Sequence, residues 1–273
     1  MKIQCKGRLI DFQVPKIMGI LNITADSFYD GGRYNTRDTA LQQVDTLLEE
    51  GADCIDVGAA SSRPGAAVLT AEEEGQRLYP ILEALVARFP DTLFSVDTYN
   101  SGTAIESVAR GAALINDISG GTMDPKMLST VGKLKVPYIM AHLQGTPQNM
   151  QQQPQYENVV TEVLHFFSEK VQTAYAAGID DVIVDPGFGF GKTIEHNYSL
   201  LKALDRFHSL SCPVMVGLSR KSMIYKLLDI SAEEALNGTT VLHAFALQKG
   251  AHLLRVHDVK YAKECVQLWQ ALQ

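Results

Sequence analysis

Residues 181–193, DVIVDPGFGFGKT, end an apolar run in an acidic side chain, Asp185, and then place glycine at every second position. A turn between a strand and a helix needs one glycine; three in alternation mean that backbone approaches something closely. The spacing fits neither nucleotide fingerprint. The phosphate loop G-x-x-x-x-G-K-[ST] needs glycine where Pro186 stands, and G-x-G-x-x-G is absent. What remains is a carboxylate facing a loop that carries Phe188, Phe190 and Lys192.

Other apolar runs end the same way, in Asn22, Asp56, Asp97, Asn116 with Asp117, His142, the run Ser219-Arg220-Lys221-Ser222, and Arg255 with His257. One such residue alone would read as a helix cap, but the set as a whole does not. Asp56, Asp97, Asn116 and Asp185 offer acceptors to a flat ligand with several N–H donors, and a carboxylate matches the paired donors of a guanidine-like edge. Lys221 complements a ring oxygen or nitrogen. Arg63, Arg255 and His257 form a cationic corner suited to phosphate or diphosphate. Asn22 can lend one oxygen to a magnesium ion that keeps most of its waters and bridges to that anion. A pocket for an electron-rich heterocycle beside one for a leaving anion suggests group transfer.

The elements that must position these residues repeat. Residues 2–14 read as two short strands around Lys6-Gly7, a hairpin closing the bottom of a barrel. A buried strand at 16–22 leads to a helix from Thr36 with Leu41, Val44, Leu47 and Leu48 on one face, ended by Gly51. A strand at 53–57 precedes the loop SSRPGA and a helix opened by the capping box Thr70-x-x-Glu73, with Leu78, Ile81, Leu82, Leu85 and Phe89 inward. Strands at 93–97, 113–117, 137–141, 181–185, 213–217 and 252–257 alternate with helices at 101–110, 125–133, 157–177 and 195–207, one starting in SRKS, one opened by Ser231-x-x-Glu234, and one at 259–271. The loop at 142–156 is long, polar and rich in glutamine. Eight strand–helix units predict an α/β protein, a (β/α)8 TIM barrel forming a single domain over 1–273. The strand ends above then gather on its C-terminal face, where barrel enzymes keep their chemistry.

Composition agrees. At 273 residues and 46% hydrophobic the chain can bury one sizeable core. The balance of 24 basic to 31 acidic residues, with no basic run, argues against nucleic acid as a partner. Four cysteines without a C-x-x-C pair suggest neither a disulfide frame nor a metal cluster. No charged start precedes a long apolar stretch, and no apolar run reaches the roughly 20 residues of a membrane span, so the expectation is a cytoplasmic protein without a membrane partner.

MGILNITADSF with DGG, ADCIDVG with SSRPGA, FSVDTY, INDISGG, MAHLQGTPQNMQ, DPGFGFGKT with HN, VGLSRKSMI and RVHDV, in that order and spacing, resemble the dihydropteroate synthase family over nearly the whole chain. The resemblance implies the barrel argued above. It also implies a reaction joining 6-hydroxymethyl-7,8-dihydropterin diphosphate to p-aminobenzoate, with diphosphate and 7,8-dihydropteroate as products for folate synthesis. By similarity Asp97, Asn116, Asp185 and Lys221 hold the pterin; Asn22, Arg63, Arg255 and His257 hold the diphosphate, with Mg2+ at Asn22. Aminobenzoate lies among Phe28, Ser62, Pro64, Phe190 and Lys221, its carboxylate near Ser222, where a helix start favours an anion. The implied mechanism is dissociative. Asp97 and Asp56 lower the energy of the pterin cation, and Lys221, Arg255 and His257 complete the catalytic set. A homodimer through outer helices and competition by sulfonamides are further implications.

Departures from the family fall mostly in the second loop, where the usual G-G-E-S-T-R is Gly58-Ala59-Ala60-Ser61-Ser62-Arg63. Ala25 replaces a common proline and Asn100 a common lysine. Two other readings stay open at this level. A pterin-dependent methyltransferase also holds its ring with aspartate and asparagine, although a methyl donor needs no diphosphate corner. The altered second loop motivates the other, a non-catalytic pterin-binding paralogue.

Overall fold

A computed structural model describes residues 1–23, 36–59 and 69–273. Strands β1 (Lys2–Cys5) and β2 (Arg8–Asp11) pair antiparallel, as the sequence predicts. Lys6 and Gly7 between them both have positive φ, 48° and 72°, the signature of a two-residue turn that matches strand twist. Ile3 and Cys5 face inward and, with Phe12, join Met18, Cys54, Leu93, Leu114, Ile139 and Ile183 in one apolar cluster. The hairpin therefore plugs the bottom of the larger sheet. It is tied there by Gln4 N donating to Asp181 Oδ2 at 3.1 Å and by Arg8 donating to the Asp91 carbonyl at 2.7 Å.

That sheet holds β3 (Lys16–Asn22), β4 (Cys54–Gly58), β5 (Phe94–Asp97), β6 (Leu114–Asp117), β7 (Tyr138–Ala141), β8 (Val182–Asp185), β9 (Met215–Val216) and β10 (Leu253–Val256). All neighbours are parallel, in the order β8-β7-β6-β5-β4-β3-β10-β9. A bridge between Val184 and Val214, with Val184 N donating to the Pro213 carbonyl at 3.0 Å, brings the two edges together as a barrel. β9 is shorter at its start than the 213–217 expected, since Pro213 has no N–H to give the ladder and Val214 N donates to His252 Nδ1 at 3.1 Å. Register sets the rim: Asn22 lies beside Gly58, Gly58 beside Asp97, Asp97 beside Asn116, and Ala141 beside Asp185.

The surrounding helices are α1 (Thr36–Glu49), α2 (Ala71–Arg88), α3 (Ser101–Ala109), α4 (Met127–Leu134), α5 (Val159–Ala176), α6 (Ile194–Lys202), α7 (Ser222–Leu228), α8 (Leu236–Gln248) and α9 (Val259–Gln270). Their starts follow local chemistry. Thr70 and Glu73 bond reciprocally at the head of α2, and Asn158 Oδ1 accepts from Thr161 N at 3.0 Å at the head of α5. The helix expected over 195–207 is two elements. Ala203, at φ −103° and ψ 18°, ends α6, and a 3₁₀ stretch, Leu204–Leu210, turns both Leu204 and Phe207 into the core. Val44, Leu47, Leu78, Leu82, Leu85, Val163, Phe167 and Val266 fill the layer between sheet and helices. Among the described residues no helix is long and apolar enough to cross a membrane.

Candidate active site

One arginine joins three strands at the C-terminal mouth. Arg255, on β10, donates Nε to Asp56 Oδ2 at 2.6 Å and an Nη to Asp97 Oδ2 at 2.9 Å. Asn116 Nδ2 donates to the same Asp56 oxygen at 2.9 Å. The sequence reading has Asp56 offering an acceptor to a ligand. Asp56 is fully buried and its Oδ2 is taken by the protein's own donors, because the long Arg255 side chain crosses from a strand two places away, while its Oδ1 has no hydrogen-bond partner among the described residues. Asp97 stands above it at rim level, its side chain 12% exposed. Burial pushes Asp97 up to about 7; Arg255 opposes the rise, while Asp56, Glu74 and Asp117 add to it. Burial works against the Arg255 charge, yet Asp56 and Asp97 outweigh it and raise its pKa.

Across the mouth, Asp185 ends β8 and accepts from Gly187 N through Oδ1 at 2.8 Å. Its Oδ2 is turned toward Gly217. A Cβ on Gly217 would lie 3.9 Å from Asp185 Oδ2 and 3.8 Å from Lys221 Nζ, so the missing side chain keeps open the space between a carboxylate and an amine. A ligand edge carrying a donor beside an acceptor fits that gap. Lys221 Nζ donates to the Phe188 carbonyl and sits 4.3 Å from the centre of the Phe190 ring. Burial lowers Lys221 to about 8, with Asp185 resisting and Arg255 reinforcing the fall. Asp185 is raised by burial, against Lys221 and the Gly187 N–H.

The glycine run owes its spacing to protein as much as to any ligand. Gly187 and Gly191 have φ of +73° and +61°, and a Cβ on them would sit 2.0 Å from the His142 carbonyl and 2.4 Å from the Gln144 carbonyl. Two neighbours in the sequence reading thus prove to face the protein. Phe188 lies wholly in the core, and His142, 7% exposed, bonds to Lys192. Asp117 likewise accepts from Ser119, Gly121 and Tyr138, which makes it a local brace.

The SRKS segment is set by Arg220, whose Nε and Nη grip both oxygens of Asp258 at 2.9 and 2.8 Å. Arg220 adopts φ +55°, and this left-handed residue turns the chain so that Lys221 points into the mouth and half-buried Ser222 opens α7. Ser219 Oγ lies 3.0 Å from His257 Nδ1 and also accepts from His257 N. Although His257 shows its outer face to solvent, desolvation of the inner edge and the nearby Arg255 push it down to about 4. Asn22 ends β3, half-buried, and no described residue competes for its side-chain oxygen. Phe28, Ser62, Arg63 and Pro64 lie outside the described residues.

One buried acid escaped the sequence reading. Glu74 of α2, 1% exposed, accepts from Thr98, Asn100 and Thr103 at 3.0, 2.9 and 2.7 Å, tying α2 to the loop that follows Asp97. Its signal was present, since Glu74 stands four residues before Leu78 on the apolar face of the helix. Asn100, a departure from the family pattern, is one of its three donors.

Residues 18–257 match the model of a family described as pterin binding enzyme. The chain is 42% identical to the dihydropteroate synthase of Escherichia coli (strain K12), over 99% of this chain and 96% of that protein. Its fold superposes with TM-score 0.93 and 41% identity on the Yersinia pestis dihydropteroate synthase in a sulfonamide drug complex, covering 100% of this chain and 99% of that one. A Xanthomonas albilineans dihydropteroate synthase in complex with 7,8-dihydropteroate gives TM-score 0.90 at 38% identity, with 100% and 99% coverage. Likeness of this extent, over a mouth that joins paired carboxylates to a lysine and an arginine, means that the chain belongs to the pterin binding enzymes, among the dihydropteroate synthases.

Proposed function

We propose that the protein condenses 6-hydroxymethyl-7,8-dihydropterin diphosphate with p-aminobenzoate, releasing diphosphate and 7,8-dihydropteroate. The observation that carries this is the gap at Gly217 between Asp185 Oδ2 and Lys221 Nζ, which suits the donor–acceptor edge of a pterin. Asp97 and the free oxygen of the Asn116 amide complete the grip on the ring. Arg255, held between Asp56 and Asp97, Arg63 and the solvent-facing edge of His257 receive the diphosphate. A magnesium ion arriving with the diphosphate would take one oxygen from Asn22 and neutralise charge on the departing anion. Among the described residues no cluster of histidine, cysteine and acidic side chains could hold it alone.

In this reading the bond between the pterin methylene and the diphosphate oxygen breaks first, its electron pair leaving with the diphosphate. The ring cation that remains is stabilised by the Asp97 carboxylate in a largely desolvated setting. The aryl amine then attacks the methylene and loses one proton. Phe190, with Phe28 and Pro64, walls the aminobenzoate ring, Ser62 lines it, and Ser222 at the head of α7 meets its carboxylate. A sulfonamide, with an aryl amine of similar shape, competes for the same place.

We also read the protein as a homodimer. Phe245 is 60% exposed and Leu268 70%, and Leu227, Leu228, Val241 and Tyr261 on the same outer helices α7, α8 and α9 are exposed too. A second copy of the chain would cover this face.

The deciding experiment incubates the purified protein with pterin diphosphate, magnesium and p-aminobenzoate. Formation of dihydropteroate supports the synthase. Pterin binding without turnover would replace it with a binding-only relative, and methyl transfer from a methylated folate with a methyltransferase.

A further inference from the structure

Lys192 takes no part in the chemistry above, yet it is 3% exposed and surrounded by acceptors. Its Nζ lies 2.9 Å from the Gly187 carbonyl, 2.9 Å from the Phe190 carbonyl, 3.1 Å from the His142 carbonyl and 2.9 Å from His142 Nδ1. Three carbonyls and a ring nitrogen can take every N–H that Nζ carries, as ammonium or as amine. Burial lowers His142 to about 2, with the nearby lysine adding to the fall, so its ring is neutral; burial also lowers Lys192 well below the usual lysine value, against Asp185.

Those acceptors belong to the loops after β7 and β8, and further bonds hold the second loop in place. Gln151 Nε2 donates to the Gly189 carbonyl at 2.6 Å, Tyr156 Oη to the Gly191 carbonyl at 2.9 Å, and Gly189 N to Asn197 Oδ1 at 2.7 Å. The glutamine-rich loop at 142–156 is thus a brace laid along the glycine run. What it steadies is the stretch on either side of Phe190, whose ring lies 4.3 Å from Lys221 Nζ.

We propose that Lys192 is a positioning residue for the condensation, drawing the β7 and β8 loops together so that the Phe190 ring meets aminobenzoate in a fixed place. This rests on the function proposed above. Asp185 is placed by the β-ladder itself, through His142 N donating to the Asp185 carbonyl at 3.1 Å. Lys221 is placed by the left-handed turn at Arg220 and the start of α7, so the Phe190 ring, and with it aminobenzoate, depends on Lys192 far more than the pterin does.

The test replaces Lys192 by methionine (Lys192→Met), which keeps length and removes the donors. The expected result is a rise of at least tenfold in KM for p-aminobenzoate, with the Kd for pterin diphosphate, by calorimetry, changed less than threefold. A folded variant with both values within twofold of wild type, or with both weakened equally, overturns the proposal. Should that variant not fold, Gln151→Ala on the exposed side of the brace decides. It is expected to raise KM for aminobenzoate about threefold with pterin Kd unchanged, and an unchanged KM overturns the brace. A wild type without turnover would refute the synthase reading alone, since aminobenzoate affinity for the pterin-loaded protein gives the same comparison by calorimetry.

Discussion

Arg255 Nε lies 2.6 Å from Oδ2 of Asp56, a carboxylate with no solvent exposure. A buried charge is tolerated only with a partner, and this pair is extended by Asp97 on the other side of the guanidinium. The arginine therefore holds the acidic rim together as well as facing the anion.

Arg255→Met should strand two carboxylates. Removing one partner of a buried ion pair costs about 3–5 kcal/mol, which for a chain of this size lowers Tm by roughly 10 °C. Calorimetric melting with and without the substitution checks this, and an unaltered Tm would mean that the carboxylates are satisfied in some other way. Turnover should fall with it.

Asp185→Asn keeps an oxygen for the Gly187 N–H but removes the charge facing Lys221. Pterin affinity should drop roughly tenfold or more, as a charge-assisted bond becomes neutral, while Tm changes little. Isothermal calorimetry with the pterin diphosphate measures it; an unchanged Kd removes Asp185 from the ring pocket.

The pH dependence has two sides. Asp97 is raised from 3.8 to about 7 and Lys221 is lowered from 10.5 to about 8. If the Asp97 carboxylate stabilises the cation and the Lys221 ammonium holds the ring, kcat/KM should rise through about 7 and fall above about 8. Stability moves with opposite sense on the acid side. Asp97 binds its proton more tightly folded than unfolded, so its contribution is full below about 4 and is lost as pH climbs to about 7. Lys221 gives its contribution above about 10.5 and loses it as pH falls to about 8. Asp97→Asn should abolish the acid limb of the rate profile; a limb that persists assigns it to another group.

Phe245→Glu places a charge in the middle of the exposed apolar face of α8. Sedimentation should show a dimer for the wild type and a monomer for the variant, with the monomer's Tm lower by a few degrees through lost mass action. A wild type that sediments as a monomer refutes the second copy.

Much of this was legible in the chain itself. Alternation of apolar strands with one-sided helices implied a parallel sheet and eight repeats favoured a barrel, and Thr70 with Glu73 marked the start of α2 because a hydroxyl and a carboxylate three residues apart satisfy each other's backbone. The polar strand ends were visible because strands buried on both faces are otherwise apolar, so Asp97, Asn116 and Asp185 stood out. These are properties of neighbours along the chain, with periods of two and 3.6.

The pairing of charges was not legible. Arg255 is 199 residues from Asp56 and 158 from Asp97, and no periodicity says which acid an arginine will reach. For the same reason Asp56 reads in sequence like Asp185, although Asp56 Oδ2 is taken by Arg255 and Asn116 while Asp185 Oδ2 faces the gap at Gly217. The alternating glycines announced a close approach, but that the approaching group is the carbonyl backbone at His142 and Gln144 depends on two loops packed side by side. Sequence determined which side chains arrive at the mouth, because local pattern sets strand direction and length. Only the closed barrel decided which of them remain available there, because electrostatic partners are chosen by distance in space.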